Sequence, residues 1–195
     1  MVTNAEFDEA EEVAGKLSLE EFERLPESGD LRLELTDGRL VREPRPGARH
    51  GWLAGQLFRS LDTYAREKGR GLAVIEAGFL LSVDPPTVRG PDVAFIADLA
   101  IPPDEIPTGF WTVAPQLAVE VMSPSNSAAE IQERVVDYLA AGTSLVWVVD
   151  PHTRSVTVFR SRDEVQWLTE RDVLDGLDVL PDFRIELSGL FPPRS

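Results

Sequence analysis

Alternation of apolar and polar residues marks the first strands of the chain. Leu31–Thr36 alternates without a break, Asp37-Gly38 is a two-residue turn signal, and residues 39–41 return as the second strand of a hairpin. Further apolar runs bounded by Pro, Gly or Asp predict strands at 72–76, 78–83, 91–96, 117–122, 144–149, 155–160, 164–168 and 183–187. The segments 84–86 and 101–107 are rich in Pro, which predicts a turn and a loop.

Two longer segments have the periodicity of amphipathic helices. Residues 48–68 place apolar side chains along one face. A second helix is predicted to begin after Ser127, because Ser127 and Glu130 have the spacing of a capping box. The same spacing at Ser18 and Glu21 predicts a short helix. The inward faces of the two long helices are predicted to carry His50, Ala54, Leu57, Leu61 and Tyr64, and Ile131, Val135, Tyr138 and Leu139.

The order of these elements predicts the fold class. A short helix and hairpin, a long helix, several strands, one helix and more strands indicate an α+β (α/β) domain with a mixed sheet flanked by helices. Strand 117–122, the helix after it and strand 144–149 have the order of a right-handed βαβ unit. Residues 1–16 are acidic and poor in large apolar side chains, so we expect a flexible tail there and a single domain over 17–195.

The composition narrows the class of protein. The 195 residues are 43% hydrophobic and include no Cys. No apolar run approaches the ~18 residues needed to span a bilayer, and the acidic N-terminus is unlike the positively charged start of a secretory signal. We therefore expect a cytoplasmic protein without a membrane partner.

Charge is unevenly distributed along the chain. The formal net charge is −15, which argues against loose binding of polyanions. Residues 39–70, however, hold eight basic and three acidic side chains, a local charge of +5. This basic strip is interpreted either as a footprint for phosphates or as a solvated helix face.

Two carboxylates stand in runs that otherwise predict buried strands, namely Asp92 and Glu120. An ionised carboxylate in an apolar site is costly unless it is compensated, so two of them on one sheet imply a shared cation. Carboxylate oxygens suit Mg²⁺ or Mn²⁺, whose coordination is completed by water and substrate phosphates. The alternative is that Asp92 caps a strand end and that Glu120 points to solvent.

Several short motifs together resemble a known family. They are Glu34-Leu35-Thr36-Asp37-Gly38, His50 in the long helix, Gly90-Pro91-Asp92-Val93-Ala94-Phe95, Glu120-Val121-Met122-Ser123-Pro124-Ser125, Tyr138-Leu139-Ala140-Ala141-Gly142 and Val146-Trp147-Val148-Val149-Asp150. In this order and spacing, over about residues 18–192, the chain resembles the bacterial family of putative restriction endonucleases. That family is a domain of unknown function within the PD-(D/E)XK nuclease superfamily.

The resemblance implies a restriction endonuclease-like fold and metal-dependent hydrolysis of phosphodiester bonds in nucleic acid, with DNA as the expected substrate. It implies that Asp92 and Glu120 are ligands of Mg²⁺ or Mn²⁺. It also implies that Glu34 and His50 belong to the catalytic site. From its own pattern Glu34 is equally a solvent-facing carboxylate on an alternating strand, and His50 is equally a core histidine on an apolar helix face.

One position departs from the superfamily pattern. The superfamily motif places a Lys two residues after the second acid, and Met122 occupies that position on the same face as Glu120. Methionine cannot orient or deprotonate water. In this family the cation is expected on the following helix, where this chain has Arg134. Helical geometry puts Arg134 on the flank of the buried stripe, so it either reaches the carboxylates or lies at the surface.

Two hypotheses of different classes follow. The first is a Mg²⁺-dependent endonuclease, for which Asp92, Glu120 and Arg134 carry the chemistry. The second is a nuclease-derived binding or scaffold protein with weak or lost catalysis, which Met122 and the net charge of −15 favour. A glycosidase with a carboxylate pair is a weaker third hypothesis, because the two strands offer only Phe95 as an aromatic platform for sugar.

Cleavage of both strands of a duplex is easiest with two sites related by a two-fold axis. We therefore expect a homodimer. The alternating strands 155–160 and 164–168 offer an edge or a face for such pairing.

Overall fold

A computed structural model describes residues 15–26, 31–97, 106–124 and 126–192. The first fourteen residues of the predicted acidic tail and most of the predicted Pro-rich loop lie outside these ranges. Within them, no helix combines the length and the apolar character needed to cross a membrane.

Both long helices predicted from periodicity are confirmed, and their ends follow the local sequence. Gly69 ends the first in a left-handed conformation with φ of 64°. Ser127 and Glu130 form the predicted capping box before the second, and Ser18 and Glu21 form the other. The helices of the described residues are α1 (Leu19–Glu23), α2 (Ala48–Lys68), α3 (Ala128–Ala140) and α4 (Leu187–Leu190).

The strands form three sheets. They are β1 (Leu31–Thr36), β2 (Arg39–Pro44), β3 (Leu72–Ile75), β4 (Phe79–Val83), β5 (Pro86–Arg89), β6 (Val93–Ile96), β7 (Leu117–Val121), β8 (Leu145–Asp150), β9 (Ser155–Phe159), β10 (Val165–Thr169), β11 (Val173–Gly176) and β12 (Leu180–Glu186). One sheet has the order β2-β1-β5-β4, the second β10-β9-β8-β7-β6-β3, and the third pairs β11 with β12. In the second sheet β7 and β8 are parallel, as the predicted βαβ unit requires, and the neighbouring pairs are antiparallel.

The six-stranded sheet is the centre of the fold and has helices on both faces. Leu57 and Leu61 of α2 join Trp147 in the largest buried cluster. Ile131 and Val135 of α3 pack with the opposite face of the sheet. The predicted mixed sheet flanked by helices is therefore confirmed.

The hairpin of β1 and β2 has one apolar face and one charged face. Its turn contains Asp37 and Gly38 with φ of 49° and 79°, the left-handed values that a tight two-residue turn requires. The apolar face packs with α1, where Phe22 lies in a cluster with leucines of both strands. The other face carries Arg32 and Glu34, since side chains alternate along a strand.

Two strands do not follow from the sequence pattern. β5 begins at Pro86, which the sequence assigns to a turn, and β11 is a four-residue strand in a segment without clear alternation. β12 begins at Leu180, earlier than the predicted strand at 183–187. The physical reason is composition, because Pro85 and Pro86 favour a turn and residues 173–176 end in Asp-Gly, which is also a turn signal.

Candidate active site

A cavity of about 330 Å³ lies where the hairpin, the start of α2, the start of α3 and the ends of β6 and β7 meet. Its polar lining residues include Arg32, Glu43, His50, Asp92, Glu120 and Arg134. A second cavity of about 580 Å³ adjoins it along the start of α2. The shared walls are Gly47, His50, Ser123, Pro124 and Asn126. Four of the five residues predicted for the site therefore line one cavity.

Asp92 lies one residue before β6, and its carboxylate is buried. Its Oδ1 accepts hydrogen bonds from His50 Nε2 at 2.9 Å and from Arg32 Nη1 at 3.1 Å. Its Oδ2 accepts a hydrogen bond from the backbone N–H of Val121 at 2.7 Å. Asp92 therefore also caps the end of β7, which was the alternative expected for it. Burial alone raises the pKa of Asp92, but the donors His50, Arg32 and Val121 outweigh burial and lower it. Asp92 is therefore ionised at neutral pH.

Glu120 lies within β7 and is 3% exposed, so the expectation that it points to solvent is wrong. In the antiparallel register of β6 and β7, Val93 is opposite Val119. Asp92 lies just before β6, and extending this register by one step would put it opposite Glu120. The two carboxylates thus reach the same cavity from neighbouring strands.

The environment of Glu120 favours its protonated form. Tyr138 Oη donates to its Oε1 at 2.7 Å, and Arg134 Nη1 donates to the same oxygen at 3.4 Å. Complete burial raises the pKa of Glu120 to about 8. The charge of Arg134 and the hydrogen bond from Tyr138 act against this rise, whereas the charges of Asp92 and Glu34 add to it. Burial is therefore the main reason that this carboxyl group holds its proton.

Arg134 is buried rather than a surface cation, because α3 turns its guanidinium toward the hairpin. Nη1 donates to Glu34 at 2.9 Å and to Glu120 at 3.4 Å, and Nη2 contacts Glu43. Burial lowers the pKa of Arg134, but Glu120 and the other carboxylates raise it above its ordinary value. The guanidinium therefore stays charged, and its place beside the carboxylates agrees with the position expected for a replacement of the motif Lys.

Glu34 is 2% exposed, so the expectation of a solvent-facing carboxylate is wrong. Its Oε1 accepts from Arg134 and from the backbone N–H of Gly90 at 2.9 Å each. Its Oε2 accepts from Arg89 Nη1 at 3.2 Å. Glu34 therefore links the hairpin, β5 and α3. It does not line the cavity itself but binds Arg134, which does.

His50 lies in the first turn of α2 and is buried at the cavity. Because Nε2 donates to Asp92, this nitrogen carries a proton. Nδ1 is buried without a hydrogen-bond partner in the part of the chain that the structure describes. His50 is thus more than a core histidine, since it orients one of the two carboxylates.

Met122 packs where the superfamily pattern has a Lys. Its side chain is half-buried against the apolar cluster of α3 that includes Ile131 and Val135. It therefore fills space on the Glu120 face, and the cation of this region is Arg134.

Four polar residues of this region do not follow from the sequence analysis as site residues: Arg32, Glu43, Arg89 and Tyr138. Arg32 and Glu43 could have been found from the alternation of β1 and the two-residue turn. Together these features put Arg32 directly opposite Glu43, on the same face of the hairpin as Glu34. Tyr138 was expected on the inward face of α3, without a partner. Nothing in the sequence pattern points to Arg89, because its strand is not predicted.

Two carboxylates of the cavity have the oxygen donors that a divalent cation prefers. Across the described ranges, no group of three or more His, Cys, Asp or Glu side chains is arranged to hold a metal ion. Asp92 and Glu120 are then the available pair, and Mg²⁺ is commonly held by one or two carboxylates together with water and substrate oxygens. Burial is the main cause of the raised pKa of Glu120, with smaller contributions from the charges of Asp92 and Glu34, and a cation beside this carboxyl group would favour its ionised form.

The basic strip at 39–70 divides into two parts. Arg42 and Arg45 line the cavity. Arg66 and Lys68, at the other end of α2, form ion pairs with aspartates on the surface. The end of α2 is therefore a solvated helix face, whereas the cations before α2 line the cavity and their role as a phosphate footprint stays a prediction.

Comparisons with known proteins agree with this architecture. The model of the Uma2 family, described as a putative restriction endonuclease, matches residues 19–188. The crystal structure of a putative nuclease belonging to DUF820 from Anabaena variabilis ATCC 29413 is similar to this chain with a TM-score of 0.79 and 20% sequence identity. The similarity covers 90% of this chain and 97% of that chain, and it confirms the restriction endonuclease-like fold. No curated protein matches the sequence.

Proposed function

Because this chain belongs to the Uma2 family of putative restriction endonucleases, we propose that it is an endonuclease that depends on Mg²⁺ or Mn²⁺ and hydrolyses phosphodiester bonds of DNA. One observation carries the proposal. Asp92, just before β6, and Glu120, on the neighbouring β7, are both buried, and both line a cavity that also holds the guanidinium of Arg134.

Asp92 and Glu120 are the residues that would hold the metal ion. When bound there, the metal ion neutralises negative charge on the phosphoryl group and lowers the pKa of water. His50 and Arg32 fix the direction of the Asp92 carboxylate through its Oδ1. Tyr138 does the same for Glu120 through Oε1, which leaves Oε2 of Glu120 to face other ligands.

Arg134 takes the electrostatic part of the role of the motif Lys. A guanidinium donates in a planar fork that matches two oxygens of a phosphate, and it binds more strongly in a buried site than in water. Arg134 is 3% exposed in its side chain and reaches the carboxylates from α3. It does not deprotonate, so it holds phosphate and does not act as a general base.

The second candidate function is a nuclease-derived binding or scaffold protein. Met122 supplies no polar group where the motif has a Lys, and Arg134 is already paired with Glu34, Glu43 and Glu120. Such a protein would bind nucleic acid and leave it intact. The two candidates therefore differ in cleavage and not in binding.

The cellular setting and the assembly belong to the same proposal. We propose that the protein acts in the cytoplasm, and as a homodimer whose two sites cut the two strands of a duplex. β10 is an edge strand of the described six-stranded sheet, and its Val165 and Trp167 are exposed, so it offers a surface for pairing of two copies.

The deciding experiment is cleavage of supercoiled and single-stranded DNA with Mg²⁺ or Mn²⁺, with wild type beside Asp92→Ala and Asp92→Asn. Asp163→Ala is the matched control, because Asp163 is an exposed acid outside the cavity. We expect cleavage by wild type and the control and loss of cleavage in both Asp92 variants. Binding without cleavage by the wild-type protein would establish the scaffold function instead.

A further inference from the structure

Glu43 occupies an unusual position at the mouth of the cavity. It lies one residue before the end of β2, an edge strand of the described four-stranded sheet, and directly opposite Arg32. Its Oε2 accepts from Arg32 Nη2 at 3.2 Å, and its Oε1 contacts Arg134 Nη2. One carboxylate thus bridges two guanidinium groups that come from β1 and α3.

Neither guanidinium depends on Glu43 alone for its counter-charge. Arg32 uses Nη1 to bind Asp92, and Arg134 uses Nη1 to bind Glu34 and Glu120. Each arginine turns its second terminal nitrogen, Nη2, to Glu43. The two Nη2 groups therefore form an anion site of their own, with Glu43 as its present occupant.

A phosphate group has the chemistry to take the same position. Two of its non-bridging oxygens match two guanidinium donors as a carboxylate does, with charge-assisted hydrogen bonds. A phosphodiester carries the same single charge as Glu43, so exchanging one for the other leaves the charge of the site unchanged. Arg42 and Arg45 line the same cavity and add positive potential on the approach.

We propose that Arg32 and Arg134 together form the binding site for a backbone phosphate of the nucleic-acid substrate, and that Glu43 fills this site until the substrate displaces it. The inference rests on the proposed function only in naming nucleic acid as the source of the phosphate. Displacement requires rotation of one side chain at an edge strand, since the Glu43 side chain is 18% exposed and its backbone pairing with β1 is not involved.

Glu43→Gln tests the proposal by removing the charge of the internal competitor. If Glu43 holds the site for nine-tenths of the time, its removal increases apparent phosphate affinity about tenfold. Binding is measured in EDTA, so that cleavage does not interfere, with a short fluorescent oligonucleotide by anisotropy and with inorganic phosphate by calorimetry. Glu43→Asp keeps the charge but shortens the reach, and it serves as the second variant if Glu43→Gln does not fold.

The matched control is Glu130→Gln. Glu130 lines the same cavity and closes the capping box with Ser127, and Gln at that position preserves the box. The variant Glu130→Gln therefore removes one negative charge from the cavity and leaves Glu43 on both guanidinium groups. The double variant Arg32→Gln/Glu43→Gln removes the competitor and half of the phosphate site.

We expect Glu43→Gln and Glu43→Asp to bind both probes about tenfold more tightly than wild type, Glu130→Gln to change binding much less, and the double variant to lose the gain. Equal affinities of Glu43→Gln and Glu130→Gln would overturn the inference, because the gain would then be a general effect of charge. If the expected gains in phosphate binding appear but wild type cuts no nucleic acid with Mg²⁺ or Mn²⁺, the proposed function is rejected and this inference is not.

Discussion

Replacing Glu120 by Gln tests the electrostatics of the site through folding stability alone. In the folded protein burial raises the pKa of Glu120 to about 8, whereas its ordinary value is 4.5. Between these two values the folded protein holds a proton that the unfolded chain releases. The contribution of Glu120 to stability is therefore complete below pH 4.5 and is lost as pH rises through about 8.

The size of this loss follows from the pKa difference. Each pH unit between the two pKa values corresponds to about 1.4 kcal/mol, so ionisation of Glu120 lowers the free energy of unfolding by at most about 5 kcal/mol over the whole interval. Gln has the shape of Glu and no proton to release, so this loss is missing in Glu120→Gln. Asp92 has a lowered pKa, and its own contribution is lost only as pH falls through the acid range, outside this window.

Urea unfolding in EDTA at about pH 5, 7 and 9 measures the effect. We expect the free energy of unfolding of wild type to fall over this range by several kcal/mol more than that of Glu120→Gln, which becomes the more stable protein at high pH. Glu164→Gln, at an exposed glutamate, is the control and should follow wild type. Parallel pH profiles of wild type and Glu120→Gln would refute the reasoning.

The other predictions concern catalysis, metal binding, packing and assembly. Arg134→Ala should lower the initial rate of DNA cleavage by about 10²-fold or more, and Arg134→Lys should restore part of this loss. An unchanged rate in Arg134→Ala would mean that Arg134 has only a structural role. Mg²⁺ should raise the melting temperature of wild type more than that of Asp92→Asn, whereas equal shifts place the metal elsewhere. Leu57→Ala, at a fully buried position, should lower the free energy of unfolding by about 2–5 kcal/mol in urea titrations, and a change below 1 kcal/mol would contradict the packing described for α2. Light scattering should give a dimer for wild type and a smaller species for Trp167→Asp, and a wild-type monomer at high concentration rules the dimer out.

Local sequence rules located most of the framework of the site. Periodicity and a capping box placed α3 correctly, and the flank position of Arg134 followed from helical geometry. Two short apolar runs placed Glu120 on a strand and Asp92 within one residue of one, and β6 and β7 are indeed neighbours. Each of these features depends on the residues of a single helix or strand, so it can be predicted from the local sequence.

The surroundings of the carboxylates were harder to predict, because they depend on the packing of separate layers. An alternating strand has a polar face, but alternation does not tell whether that face meets water or another charged surface. Glu34 lies on such a face and is buried, because Arg134 of α3 and Arg89 of β5 lie against it. The partner Arg89 comes from a strand that begins with Pro, and no local rule connects it to Glu34.

The tight turn of the hairpin determines the charge that faces the cavity. Its two residues align Arg32 with Glu43, and a slip of a single residue would align Arg32 with Arg42 instead. Glu43 would then turn to the opposite face of the hairpin, and the cavity would lose one negative charge although every residue of both strands stayed the same. An insertion of one residue between Asp37 and Gly38 that shifts the register is therefore equivalent to removing an acid from the site, made from a position on the far side of the hairpin.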